Sequence, residues 1–446
     1  MPFDATQPVT VSRTPALPFG DFLRALLPAL DGHGVRCCVL RNYEGFPEQN
    51  LGHDVDLLIR SADLPRAVAA LRSVDGIRIV GATVRAGGPS LFLEGVSAED
   101  GVRALQVDFI TSLNWKGMPH LQTEAILEAA IPRHAGNMSF LVPAPAHEAI
   151  ISLLSSLLVG GWVKEKYLPS VRQRFINDRA EVVAALRQNF GLKAAERLAD
   201  AVESGERAQM LECVGLLRAS LTLRAVGREP LGSCRSIIRH YAREAAIRYS
   251  PRTLETVTIV SLDGRRAFSL VDRLLPMLHS TAKAVAKRPL GPAFAADAAP
   301  AADGSFARLA GVLRRLAEEW RDQCAETKSL TLHLRARASR ELPISELGKG
   351  EFGNWRLSRL AAKVSPESEL WILLDPSAAG LPSANPKPPR DEMARLREAS
   401  RAFVMSQRRF VILDARRHDA ELAEEAYAAI VEALARRADR ELNKRI

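Results

Sequence analysis

The sequence predicts an α/β protein built from two successive α/β blocks with a helical block between them, and three observations predict it. Short apolar β-type runs alternate with segments of helical spacing between residues 21 and 110. Residues 146–248 carry helical spacing with very few strand signals. From residue 256 to the end, short apolar strands alternate with helical segments again, the pattern of a parallel sheet with crossover helices. With 47% hydrophobic and 25% charged residues, collagen-like, fibrous and largely disordered classes are excluded. At about 150 residues per domain, the 446 residues allow two or three domains. Aromatics are only 6%, so the cores must rest on Leu, Ala, Val and Ile.

In chain order, residues 1–17 are read as a flexible N-terminus. Residues 21–30 follow as a helix through the spacing of Phe22, Leu23, Leu26, Leu27 and Leu30, stopped by Gly32 and Gly34. Residues 35–40 are a β-type run, 54–59 another, and 64–71 a helix. Strands at 77–80, 90–94 and 104–110 complete a mixed sheet of about five strands, within a first domain at 18–145. The helical extension, 146–250, opens with a Leu/Ile-rich helix at 147–158 and continues with the Ala/Leu stripes of bundle helices over 182–217. The second α/β domain, 251–446, has strands at 256–260, 330–334, 370–374 and 410–413, helices on both faces of a parallel sheet, and a closing amphipathic helix at 420–435. The Pro/Ala-rich stretch 288–304 reads as a mobile loop.

Lys plus Arg (61) exceed Asp plus Glu (52), a net charge of +9 that favours acidic partners without choosing among them. The basic residues are scattered and no aromatic stacking platform is visible, so nucleic acid is not an expected partner. Five cysteines with no CxxC or Cys/His cluster argue against a disulfide framework and against structural zinc. The polar first 14 residues show no signal peptide. The longest apolar stretch, 149–163, holds three serines and is shorter than the ~20 residues of a spanning helix. The expectation is a cytoplasmic protein without a transmembrane segment.

The sharpest chemical signal is Gly52-His53-Asp54-Val55-Asp56-Leu57-Leu58-Ile59. Residues two apart in a strand share a face, so Asp54 and Asp56 project side by side, where their charges repel unless a cation sits between them. Mg²⁺ takes a few carboxylates plus substrate phosphates, which suits a nucleotide site. Asp108 lies in a second apolar strand, Leu105-Gln106-Val107-Asp108-Phe109-Ile110, where Asp is disfavoured by propensity. Three aspartates on neighbouring strands can hold two metals that activate an attacking hydroxyl and steady leaving pyrophosphate. The plain alternative is a solvated Asp pair at a turn and an edge-strand Asp.

The stretch from Val35 through Gly117, with LRNYEGFPE, GHDVDLLI and VDFITSLNWKG, resembles the DNA polymerase β-like nucleotidyltransferase superfamily. It is similar in particular to a bacterial branch found with surface-polysaccharide genes. The resemblance covers residues 20–250 and implies that Asp54, Asp56 and Asp108 are the catalytic, metal-holding carboxylates. Its Gly-Ser turn, which holds the triphosphate, is replaced by Leu40-Arg41-Asn42-Tyr43. Arg41 is then either a phosphate contact, with Asn42 beside it, or a surface Arg. Lys116 faces phosphate in this reading, and Trp115 either stacks on a base or fills the core. Lys164 and Lys166 face the nucleotide or form a solvated helix face.

The second domain opens as strand, turn and helix, with Ser261-Leu262-Asp263-Gly264-Arg265-Arg266-Ala267-Phe268 at the turn, where backbone amides and a helix N-terminus cradle phosphates in nucleotide kinases. The register resembles the thymidylate kinase family, whose loop runs G-x-D-G-x-G-K-S-T. Asp263 and Gly264 keep that pattern, while Ser261, Arg266, Ala267 and Phe268 replace its first Gly, later Gly, Lys and Mg²⁺-binding hydroxyl. The Asp-Arg pair of the middle strand is absent near His333 and Leu334. Asp263, Gly264 and Arg265 remain candidate nucleotide contacts in a degenerate loop. Arg390, Arg395, Arg397 and Arg401 form a basic helix, either a former lid or a solvated face.

The resemblance thus implies an Mg²⁺-dependent nucleotidyltransferase taking an NTP, ATP first, and a hydroxyl or phosphate acceptor in surface-carbohydrate synthesis. The alternatives are a small-molecule or nucleotide kinase working through the second domain, with Arg265 and Arg266 needed for ATP turnover, and a non-catalytic nucleotide-binding scaffold.

Overall fold

A computed structural model describes residues 16–48, 54–85, 87–97, 104–249, 255–262, 265–278, 284–288, 331–338, 368, 370–375, 390–405, 407 and 409–445. It is a mixed α/β chain, and among the described residues it holds a five-stranded mixed sheet, a five-stranded parallel sheet and three two-stranded pairs. Two compact units are present, with bodies at Pro15–Tyr249 and Ser250–Ala438.

The first unit begins with a two-residue strand, β1 (Leu17–Pro18), paired parallel to Val96–Ser97, so Leu17 belongs to the fold and not to a flexible N-terminus. Helix α1 (Phe19–Gly32) buries Phe22, Leu23, Leu26 and Leu30, the stripe that its i, i+3, i+4 spacing dictates. The run expected at 35–40 is a strand only at β2 (Cys38–Val39). Then come β3 (Asp54–Leu58), α2 (Leu64–Arg72), β4 (Arg78–Arg85), β5 (Gly88–Glu94), β6 (Val96–Ser97) and β7 (Ala104–Ile110). Among the described residues, five strands form one sheet in the order β2-β3-β7-β5-β4. Only β3 and β7 are parallel; the other neighbours are antiparallel. Strand β4 runs beyond the expected 77–80 because Gly81, Thr83 and Val84 keep pairing with β5 past an irregularity at Ile79/Gly81.

Residues 113–142 hold elements absent from the sequence reading: strands β8 (Leu113–Trp115) and β9 (Met118–Leu121), helix α3 (Thr123–Ala129), and the hairpin β10 (Ile131–Ala135)–β11 (Met138–Val142). Each is too short for a periodicity to declare itself. The helical extension follows as α4 (Pro145–Gly160), α5 (Leu168–Asn177), α6 (Arg179–Phe190), α7 (Leu192–Ser204), α8 (Arg207–Arg228) and α9 (Pro230–Tyr249). Helix α4 explains the apolar run at 149–163: Ile150, Leu154, Leu157 and Leu158 are wholly buried in a core shared with α3 and α5–α8. Each such side chain contributes about 1.5–3 kcal/mol of hydrophobic burial. Among the described residues, no helix is long and apolar enough to cross a membrane.

Under α6 and α8, strand β9 places His120 in this core with neither ring nitrogen hydrogen-bonded. Burial pushes its pKa down from 6.5 to about 4. Above pH 6.5 the ring is neutral folded or unfolded, so nothing is lost. Between pH 6.5 and 4 only the unfolded chain takes up the proton, and stability falls as pH falls. The expected loss by pH 5 is about 2 kcal/mol. Urea denaturation at pH 7 and pH 5 reads it, and His120→Leu should flatten the difference; an unchanged difference would place the acid sensitivity elsewhere.

The second unit contains β12 (Glu255–Ser261), α10 (Arg265–Leu278), β13 (Ala284–Arg288), β14 (Thr331–Ala338), β15 (Leu370–Asp375), α11 (Arg390–Met405), β16 (Phe410–Asp414) and α12 (Asp419–Arg445), the last helix running past the end of the unit's body. Among the described residues the sheet is all parallel, in the order β13-β14-β12-β15-β16. The Val/Ile/Leu content of β12 and β15 follows, since parallel sheets are covered on both faces. The expected mobile stretch 288–304 lies outside the described residues except Arg288, which is the last residue of β13 and not part of a loop. The chain enters the sheet at β12, fills one side, then crosses to the other. The reversal of strand order therefore lies at the carboxyl end of β12, the place where open α/β sheets bind ligands.

Candidate functional site

The carboxylate cluster is built by strand geometry. Asp54 and Asp56 occupy alternate positions of β3 and so share a face. The parallel register pairs Asp56 with Asp108 and Asp54 with Gln106, while the antiparallel register sets Ser90 of β5 opposite Asp108. Five polar residues therefore gather on one face, while Val55, Leu57, Val107 and Phe109 point the other way into the core. One oxygen from each of Asp54, Asp56 and Asp108 lies within 4.8 Å of the others.

Asp56 is the centre, with 1% exposure. Its Oδ2 accepts from Arg41 Nε, and its buried Oδ1 has no hydrogen-bond partner. Leu40 N donates to the Asp56 carbonyl at 3.0 Å, which sets Arg41 beside the carboxylate. Gln106 Nε2 donates to Asp108 Oδ1 at 2.9 Å and the Ser90 hydroxyl also bonds Asp108, orienting it. Burial, then the neighbouring Asp56 charge, pushes the Asp54 carboxyl above its ordinary value. Burial also raises Asp108, against the two hydrogen bonds that lower it. Burial alone would lower the Arg41 guanidinium, but Asp56 and then Asp54 outweigh it and hold Arg41 above its usual value. Three hard oxygen donors, one of them with a buried unpaired oxygen, fit a divalent cation of the Mg²⁺ type.

The loop after β2 is pinned to the helical extension. Tyr167 donates its hydroxyl to Asn42 Oδ1 at 3.1 Å, and Asn42 holds the left-handed conformation (φ 59°) that Asn tolerates. Tyr43 donates to Glu148 Oε1 at 2.7 Å, packs edge-on to Phe140, and lies under the Arg133 guanidinium. Tyr43→Phe should cost about 1 kcal/mol, measurable by urea denaturation. Lys164 is half-buried and Lys166 exposed, and both ammonium groups lie over the Tyr167 ring, 5.8 and 4.6 Å from its centre.

The structure thus brings together Asp54, Asp56, Asp108, Arg41 and, one residue on, Asn42. Lys116 stands on the β8–β9 turn with its ammonium 5.0 Å from the Trp115 ring centre and 5.5 Å from that of Tyr241. Trp115 packs against the helical core. Asp263 and Gly264 lie outside the described residues; Arg265 is exposed as the first residue of α10. Arg266 is engaged within its own unit, donating to the Arg417 carbonyl at 2.9 Å and lying 3.5 Å from Asp419. Arg397 is not simply solvated: it forks onto Asp375 at the carboxyl end of β15, at 2.5 and 3.1 Å, with Arg401 3.8 Å from the same carboxylate. The sequence reading missed Gln106, Ser90 and Tyr167. Gln106 was recoverable, two residues before Asp108 and so on its face; the other two depend on long-range pairing that leaves no local mark.

Searches of protein-family models, of curated proteins and of solved structures find nothing that matches this chain.

Proposed function

We propose that the first unit is a nucleotidyltransferase-like domain that transfers a nucleotidyl group from an NTP, ATP first among them, to a hydroxyl or phosphate acceptor with Mg²⁺. The observation that carries this reading is the convergence of three carboxylates on parallel-paired strands, with a buried Asp56 oxygen left unpaired. A divalent cation bound there would lower the pKa of an acceptor hydroxyl and offset charge on leaving pyrophosphate. Asp54 and Asp56 would hold both metal ions, and Asp108, steadied by Gln106 and Ser90, the one nearer the acceptor. Arg41, backed by a loop that Tyr167 and Tyr43 brace, supplies positive charge in place of the Gly-Ser turn of the superfamily that the sequence resembles. A role in surface-carbohydrate synthesis follows from that resemblance.

The second unit we read as thymidylate-kinase-like in shape and inactive. Its support is the parallel sheet with the strand-order reversal beside β12, together with the buried Ala267 at the position of the kinase lysine. The engagement of Arg266 with the Arg417 carbonyl speaks against its service as a phosphate contact.

Calorimetric titration with Mg²⁺ and each NTP tests the assignment, with the Asp54→Asn/Asp56→Asn protein alongside. Metal-dependent binding lost in the double variant is the expected result. Binding that survives would move the nucleotide to the second unit, and no binding at all would favour a scaffold.

A further inference from the structure

We infer that Arg41 is the resident counter-ion of the carboxylate cluster, displaced from Asp56 by a divalent cation and taken up by the phosphates that arrive with it. The inference rests on the proposed metal-dependent reading and deepens it.

Both oxygens of Asp56 are closed to solvent: Oδ1 is buried without a partner and Oδ2 is held by Arg41 Nε. A cation with Mg²⁺ geometry needs carboxylate oxygens at about 2.1 Å and retains several waters. The Arg41 nitrogen stands within hydrogen-bond reach of one of those oxygens, inside the volume that a hydrated cation needs. Guanidinium and dication also repel each other across this partly buried site. Arg41 can leave: its side chain is 26% exposed and hangs from a loop, not from the sheet. Removing it with nothing in its place would strand Asp56 as a buried charge, so it holds until a cation replaces it. Once free, a guanidinium offers a planar fork suited to phosphate oxygens. Cation and nucleotide should therefore bind with positive coupling, each completing the site for the other.

The test is Mn²⁺ affinity, read by electron paramagnetic resonance, in the wild type, Arg41→Gln and Asp54→Asn. Loss of the competing guanidinium should tighten Mn²⁺ binding in Arg41→Gln about tenfold, while Asp54→Asn should lose it. If Asp54→Asn binds Mn²⁺ as the wild type does, the metal reading falls and the exchange with it. If Asp54→Asn loses Mn²⁺ but Arg41→Gln binds it no more tightly than the wild type, the metal site stands and the exchange is overturned. Should Arg41→Gln not fold, the wild type decides alone through the Arg41 Nε–H resonance, assigned by through-bond connectivity to the Arg41 backbone. That resonance should shift and lose its protection from solvent exchange as Mg²⁺ saturates the protein; an unmoved resonance at saturation overturns the inference.

Discussion

Asp54→Asn should leave a better-folded protein that no longer binds a divalent cation. Asn keeps the shape of Asp and removes one charge from a cluster in which Asp54, Asp56 and Asp108 lie within 4.8 Å of one another. Burial and the Asp56 charge already push the Asp54 carboxyl upward, so the ionised form is disfavoured where it stands. Relief of that repulsion should raise the melting temperature of the metal-free protein by about 2–4 °C. Loss of a side chain that merely supports a metal ligand costs 10–100-fold in affinity, so loss of a ligand should cost at least about a hundredfold. Thermal melts with and without Mn²⁺ read both effects at once. The wild type should gain stability on adding Mn²⁺, and the variant should gain none. A variant that melts lower than the wild type without metal, yet still responds to Mn²⁺, would show that the cluster is structural.

Gly88→Ala should be the most damaging single methyl group in the first unit, at about 3 kcal/mol. Gly88 begins β5 with φ at +128°, where L side chains rarely sit. A Cβ there would come within 1.9 Å of the Phe109 carbonyl oxygen, an overlap that only a backbone shift relieves. Phe109 directly follows Asp108, so the shift should also weaken cation binding. Gly136 provides the control: its φ is +58° but nothing lies within 4 Å of its would-be Cβ. Gly136→Ala should therefore cost only the left-handed strain, about 1 kcal/mol. Urea denaturation of the two variants separates strain from overlap, and equal losses would mean that the contact with Phe109 is not tight.

Much of the local architecture was legible in residue spacing. The helical stripe of α1 and the buried run of α4 follow from the 3.6-residue repeat, and β12, β15 and β16 from short apolar runs of the kind that a sheet covered on both faces requires. The short hairpin β10–β11 and strand β13 were not legible, since five residues with mixed polarity carry no repeat. The shared face of Asp54 and Asp56 follows from an i, i+2 spacing alone.

What only the tertiary structure decided is everything that depends on which strand lies beside which. Asp108 comes opposite Asp56, and Ser90 opposite Asp108, through pairing between residues 52 and 18 positions apart in the chain. A slip of one residue would have turned Asp108 into the core and Val107 onto the site. The grip of Arg41 on Asp56, the brace from Tyr167 to Asn42 and the sealed, neutral His120 are likewise products of packing. Backbone geometry dictates the face of a side chain from its immediate neighbours; its partners come from long-range register and burial, which no local pattern encodes.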